Sequence, residues 1–353
     1  MTRPCISRKA CFGILVWAFC LLLLPGAPSP ALALRAVLLA DTQGSKGPDY
    51  EGINVAELAN ALRVVSAMDP KPDMVFCLGD LVGRGYTEAT GYQFERWKEL
   101  MRPVTQAGIP LYVLKGNHEL TRGRPRRSPI RYFLDNQLEF VKAFSHMPAN
   151  GPKGHEHLAY TVEDKATSTV FVALDSQFLT HDLEKNPGPY GISRAQLDWL
   201  RGPLPAVDGA VHRIALAHVP AFKPKKEQPG FRNASFQRLW DILEDKRFDL
   251  MIAGHLHIFS FAVIGTAIYP DSRHSVAQVV IGPVGGVLPS EYEVRSDPAV
   301  WNTRVGRNFL LLEIDGPKPE DPIKLTPYFK MDSGEYAPVG DRTVTLQRTQ
   351  RDK

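Results

Sequence analysis

Six side chains able to hold a divalent cation stand just past apolar runs of this 353-residue chain: Asp41, Asp80, Asn117, His218, His255 and His257. The tightest grouping is Gly116-Asn117-His118-Glu119, which follows Leu111-Tyr112-Val113-Leu114 and puts three polar side chains where a buried strand should end. Glycine lets the backbone turn sharply there. Asn117 offers a carbonyl oxygen that can face a metal, and His118 can either bind metal or carry a proton. A four-residue pattern is weak evidence alone, so the chemistry depends on partners elsewhere in the chain.

The elements that must position these residues repeat as strand, polar tip, helix. An apolar strand over 35–40 reads into Asp41-Thr42-Gln43, and a glycine-containing loop then leads to a helix pattern from Asn54 to Met68. Asp69-Pro70-Lys71-Pro72 breaks that helix, Met74 to Leu78 is the next strand, and its tip is Gly79-Asp80-Leu81-Val82-Gly83-Arg84-Gly85. A helix from Tyr92 to Met101 leads to the third strand, which ends at Asn117 and His118. Later strands at 214–217 and 250–253 end at His218 and at Gly254-His255-Leu256-His257. Strands are also expected at 160–162, 169–174, 277–281, 309–314, 323–329 and 344–347, and Ser193-Arg194-Ala195-Gln196 is a capping box opening a short helix. The expected fold is α/β, with two packed mixed sheets flanked by helices and ligands gathering beyond the carboxyl ends of the strands.

In this order the elements resemble the calcineurin-like metallophosphoesterase superfamily: an Asp-x-His-like element at Asp41, Gly-Asp at 79–80, Gly-Asn-His-Glu at 116–119, a lone His218 and Gly-His-x-His at 254–257. The likeness runs over residues 35–260, and five ordered elements make coincidence implausible. The resemblance implies two divalent metal ions (manganese, iron or zinc) bridged by Asp80. One site would be completed by Asp41, Gln43 and His257, the other by Asn117, His218 and His255. It also implies attack on phosphorus by a metal-activated hydroxide, with His118 protonating the leaving alkoxide and Glu119 supporting the ligands from behind.

This sequence departs from the superfamily's patterns at three places. Gln43 stands where many relatives have His. The first site then has three oxygen donors and one nitrogen, with Gln43 either ligating through its amide oxygen or leaving a place to water. Gly83 occupies the position of the purple acid phosphatase tyrosine, which disfavours that subgroup. Gly83-Arg84-Gly85 lacks the acid that precedes Arg-Gly in serine/threonine phosphatases, although Arg84 matches their phosphate-contacting arginine, and phosphate would be met by Arg84 and Asn117. A second Gly-His-x-His, Gly154-His155-Glu156-His157, follows the loop signature Asn150-Gly151-Pro152-Lys153 and reads as a decoy.

Composition sets the frame. Residues 1–33 read as a secretory signal peptide: Arg3, Arg8 and Lys9 precede an apolar run over 11–24, and Ala31-Leu32-Ala33 offers a cleavage site. The competing reading is an uncleaved anchor, for which the run is shorter than the roughly 20 residues a spanning helix needs. Three of the 4 cysteines lie in this segment, so Cys77 alone remains and no internal disulfide can form. The segment also holds three of the 42 basic residues and none of the 38 acidic ones, leaving a mature excess of one positive charge. That balance gives no encouragement to nucleic-acid binding. The remainder, 34–353, is expected to form a single domain with a strand-rich C-terminal part. The arginine-rich stretch at 121–147 is either a cap over the site or a solvated loop.

The expected function is therefore that of an exported phosphoesterase, secreted or periplasmic, with no stable membrane anchor after cleavage. It would act on a phosphorylated small molecule or a phosphoprotein. A monoesterase is favoured if the arginines at 122–131 close over the site, because a dianion suits them. The alternatives are a phosphodiesterase, or a phosphate-ligand binding protein whose metal site has decayed at Gln43.

Overall fold

The apolar runs behind the donor residues are strands of two mixed sheets in a computed structural model, which describes residues 33–44, 52–83, 90–120, 129–177, 190–224, 230–290 and 300–347. In chain order the first strands are β1 (Leu34–Leu39), β2 (Met74–Cys77), β3 (Leu111–Val113), β4 (Tyr160–Asp164), β5 (Thr169–Leu174) and β6 (His212–Ala217). A small hairpin, β7 (Phe222–Lys223) and β8 (Gly230–Phe231), precedes β9 (Leu250–Ala253), β10 (Phe259–Ile264), β11 (Val276–Val280) and β12 (Asn302–Arg304). The chain ends with β13 (Asn308–Ile314), β14 (Ile323–Lys330), β15 (Tyr336–Pro338) and β16 (Val344–Leu346). The helices are α1 (Val55–Ser66), α2 (Thr90–Leu100), α3 (Arg102–Gln106), α4 (Pro129–Ala143), α5 (Arg194–Arg201), α6 (Pro205–Asp208) and α7 (Ala234–Asp245).

One sheet runs β15-β14-β13-β1-β2-β3, with β16 also on β14; the other runs β12-β10-β11-β9-β6-β5-β4. Strands β1, β2 and β3 are parallel neighbours in the first, and β5, β6, β9 and β11 in the second. Central parallel strands are covered on both faces, which is why they read as unbroken apolar runs. Alternation along the second sheet then decides which layer each side chain enters. Ile214, Leu216, Leu250, Ile252, Phe171 and Ala173 point into the core between the sheets, and Phe171 meets Phe76 of β2 at 4.8 Å between ring centroids. The intervening Ala215, Ala217, Met251, Val170 and Val172 face the outer layer, where Phe236, Leu239 and Trp240 of α7 and Leu197 and Leu200 of α5 cover them. Truncating a ring such as Phe171 to alanine at that sheet interface would cost about 3–5 kcal/mol.

Side chains cap three helix starts, at Ser193 as the capping box predicts and at Asn54 and Asn233 in addition. The Asn54 side chain accepts the amide of Glu57 at the start of α1, Ser193 that of Gln196 at α5, and Asn233 those of Ser235 and Phe236 at α7. Strands β7, β8, β10, β12 and β15 are additions to the sequence reading. Strand β10 follows the Gly-His-x-His turn directly and gets its order from β11 and β12 on either side. From Leu32 onward the chain forms one compact unit, and none of the described helices is long and apolar enough to cross a membrane.

Candidate metal centre

The carboxyl ends of β1, β2 and β3 in one sheet and of β6 and β9 in the other carry the donor residues. The tips make unusually close approaches. A Cβ on Gly79, whose φ is +90°, would lie 2.7 Å from the Gly116 amide nitrogen, and one on Gly116 would collide with the amide and carboxylate of Asp80. Only glycine lets the β2 and β3 tips meet. Asp41, Asp80, His255 and His257 all have positive φ, at 56°, 51°, 73° and 57°. Such backbone strain costs non-glycine residues on the order of 1–3 kcal/mol each and tends to persist where function requires it.

Glu119 ties the tips together. Its buried carboxylate accepts the amides of Asp80 (2.9 Å), Leu81 (2.7 Å), Val82 (3.1 Å) and Gly116 (2.6 Å). Burial and the neighbouring Asp80 charge push its pKa up to about 7, against the pull of the Val82 and Gly116 amides and of His218. On the β1 side, the Thr42 hydroxyl donates to the Leu81 carbonyl and accepts Trp97 Nε1.

Two groups of donors share Asp80. The ligand atoms of Asp41, Asp80 and His257 lie within 4.8 Å of one another, and so do those of Asp80, His218 and His255. Asn117 Oδ1 joins the second group, 2.9 Å from His255 Nδ1 and 3.2 Å from His218 Nε2. Gln43 joins the first, its amide nitrogen 3.2 Å from both Asp80 Oδ2 and His257 Nε2, while its buried Oε1 has no partner. The oxygen and nitrogen of such an amide are told apart only by their neighbours. Turning the amide over would aim the orphaned oxygen among the donors, as a cation there would require.

The outward nitrogens are fixed by backbone carbonyls: His218 Nδ1 by Leu78 at 2.8 Å and His257 Nδ1 by Val287 at 2.5 Å. That leaves each Nε2 facing the carboxylates. Burial alone would depress His218, but Asp80, Asp41 and the Leu78 carbonyl push its pKa up to about 9. Burial and the charge on His218 hold His255 well below its ordinary range. Carboxylate and amide oxygens with imidazole nitrogens are a donor set that fits two divalent ions, one for each of the groups that share Asp80.

His118 stands at the rim. Its amide donates to Asp80 Oδ1 at 2.8 Å, its Nε2 lies 3.8 Å from Asp80 Oδ2, and its Nδ1 is buried without a partner. Arg84 and the arginines at 122–127 lie outside the described residues, as does residues 1–32 of the leader segment, and the side chain of Arg131 is likewise not described.

The second Gly-His-x-His serves other ends. His155 is 5% exposed, with Nε2 2.8 Å from Ser193 Oγ and Nδ1 3.6 Å from Asp175 Oδ2, and His157 Nδ1 lies 2.6 Å from the Met147 carbonyl. Neither belongs to a metal-capable group among the described residues. Asp175 also pairs with buried Lys115 at 3.1 Å, joining the end of β5 to the residue before Gly116. Sequence reasoning missed Lys115, Tyr190 and Arg232. The ring of Tyr190 meets that of His255 edge-on at 4.9 Å, and an aromatic in a loop gives no sign of which distant imidazole it will touch.

Strand ends from two sheets gather oxygen and imidazole donors around a shared carboxylate, a donor set suited to divalent cations. The sequence pattern described as calcineurin-like phosphoesterase matches residues 34–259, and the chain belongs to that family. It is 26% identical over 219 residues to the serine/threonine-protein phosphatase CPPED1 of Rattus norvegicus, covering 60% of this chain and 62% of that protein. It is 25% identical over 282 residues to the tartrate-resistant acid phosphatase type 5 of the same species, covering 78% and 80%. Among solved structures, the purple acid phosphatase PPD1 of Lupinus luteus superposes with a TM-score of 0.62 at 16% identity, over 91% of this chain and 55% of the lupin chain. The chain is thus similar to an acid phosphatase over most of its length, although a glycine stands at the position of the purple acid phosphatase tyrosine.

Proposed function

We propose that the protein is an exported phosphomonoesterase. The observation that carries this reading is the pair of donor groups sharing Asp80, with His118 at their rim. Asp41, Gln43, Asp80 and His257 would hold one cation, and Asp80, Asn117, His218 and His255 the other. When bound, the ions supply positive charge to the phosphate oxygens and lower the pKa of water to make it a nucleophile near neutrality.

The remaining work falls to the protein's own side chains. His118, whose side chain is partly exposed, gives the proton on Nε2 to the departing alkoxide oxygen, a task suited to imidazole near neutral pH. Asp80 keeps that ring close through the His118 amide and ring nitrogen. Glu119 locks the tips so that Asp80 and Asn117 keep their spacing. The monoester preference is supported by the names of the rat relatives, a serine/threonine-protein phosphatase and an acid phosphatase. Export is supported by the basic, apolar and small-residue stretches of 1–33.

The test is hydrolysis of p-nitrophenyl phosphate and of its bis ester by manganese-loaded protein. Faster turnover of the monoester, abolished by chelator, is expected. A higher rate on the diester would transfer the reading to phosphodiesterase, and inactivity on both would favour a phosphate-binding protein.

A further inference from the structure

Tyr190 and Arg232 stand beside His255 and take no part in the chemistry above. Arg232 follows β8 and precedes Asn233, the N-cap of α7. Its amide donates to the Ala221 carbonyl at 3.0 Å and its Nε to the Pro220 carbonyl at 3.1 Å, so backbone and side chain both hang on the segment leaving His218. The guanidinium carbon lies 5.8 Å from the centroid of the Tyr190 ring, whose edge contact with His255 links the guanidinium to the metal centre. Tyr190 is itself pinned, its carbonyl accepting Asn233 Nδ2 at 2.9 Å while the next residue, Gly191, donates its amide to Ser176 at 3.1 Å.

No carboxylate among the described residues pairs with Arg232, and its two terminal nitrogens donate to no described protein group. A part-buried, immobilised guanidinium pays for lost hydration, and an anion met by two parallel N–H bonds is the partner that its fork fits. Two ring contacts in series separate Arg232 from the donors around Asp80, so a phosphate seated among those donors leaves the guanidinium to a neighbouring group.

We propose that Arg232, stacked on Tyr190, forms a subsite for a second anionic group on the leaving portion of the substrate, either a carboxylate or a further phosphate. This rests on the phosphoesterase reading for the first phosphate. The preferred substrates are then phosphate esters that carry another anion within reach of the ester, rather than simple aryl or alkyl phosphates.

The test is calorimetric titration of metal-reconstituted protein with methylphosphonate, phosphonoacetate and methylenediphosphonate, with metal content measured before and after. None of the three is hydrolysed, so the result does not depend on turnover. Arg232→Ala should weaken phosphonoacetate, methylenediphosphonate or both about tenfold, the loss of one charge-assisted bidentate contact, while methylphosphonate changes less than about twofold. The arm that falls names the group. Arg232→Lys should recover part of the loss, because charge returns without the fork. Equal weakening of all three ligands, no change in any, or no binding by the wild type would overturn the subsite. If wild-type protein fails to turn over p-nitrophenyl phosphate while the three affinities still separate, the phosphoesterase reading fails and the anion subsite stands.

Discussion

The two donor groups sharing Asp80 are unequal. Asn117, His218 and His255 bring two imidazoles and one amide oxygen that lies within hydrogen-bond distance of both rings. Asp41, Gln43 and His257 bring one imidazole and an amide whose oxygen is orphaned. A nitrogen-rich group suits zinc and other borderline metals, whereas an oxygen-rich one suits manganese or magnesium and releases its ion more readily. The proposed metal centre thus pairs a nitrogen-rich seat with an oxygen-rich one around a single carboxylate.

The substitution that breaks both seats at once is Asp80→Asn. Metal content should fall from two ions per chain to one or fewer, and kcat/KM should drop on the order of 10³-fold or more, because several kcal/mol of charge stabilisation go with the ions. Metal analysis beside steady-state kinetics reads both, and an unchanged metal content would remove Asp80 from the centre. Next in size is His118→Ala, which should leave both seats filled. It should lower kcat about 10²–10⁴-fold on an alkyl phosphate and far less on p-nitrophenyl phosphate, whose leaving group departs without a proton. Equal loss on the two substrates would deny His118 the role of acid.

The contrast between the seats is sharpened by Gln43→His. The wild type should lose one of its two ions first on dialysis, and the variant should retain zinc there about tenfold more tightly, read by metal analysis at graded chelator. If the ion lost first depends on His218 rather than on Gln43, the ranking of the seats is reversed.

The smallest effect concerns the ion pair beneath Asn117. Burial would raise the Asp175 pKa, but Lys115 and His155 hold it down at about 2, against an ordinary value of 3.8. A carboxylate depressed in the folded state adds stability that is fully present above pH 4 and disappears as pH falls through 2. Its share is at most about 2 kcal/mol. Part of that is offset, because burial keeps Lys115 below its ordinary range even beside the carboxylate. Urea unfolding at pH 7 and pH 3 should show the wild type losing part of this margin and Asp175→Asn losing less; parallel losses would remove the pair from the acid response.

Much of this architecture was legible because strand ends and donor residues coincide in the sequence. Asp80, His218 and His255 each follow a run whose burial shows as apolar character, whereas Asn117 follows the sheet-edge strand β3, where Leu111 and Tyr112 are only half-buried. Their order along the chain carried the resemblance that the family match bears out. The short-range signals also held: Asn54 and Ser193 sit at helix starts because their side chains bond to amides three residues on. What was hidden depends on long separations. Lys115 meets Asp175 across 60 positions, and Tyr190 touches His255 across the sheets' strand ends. The second Gly-His-x-His is told from the first by what precedes it, a loop in place of a strand. That context sends His155 to Ser193 and away from the donors.

The most direct measurement is anomalous diffraction from crystals of the manganese-loaded protein. Two peaks are expected, each within about 2.0–2.4 Å of an Asp80 carboxylate oxygen, one also against Asp41 and His257 and the other against Asn117, His218 and His255. A single peak, or peaks away from Asp80, would contradict the shared centre.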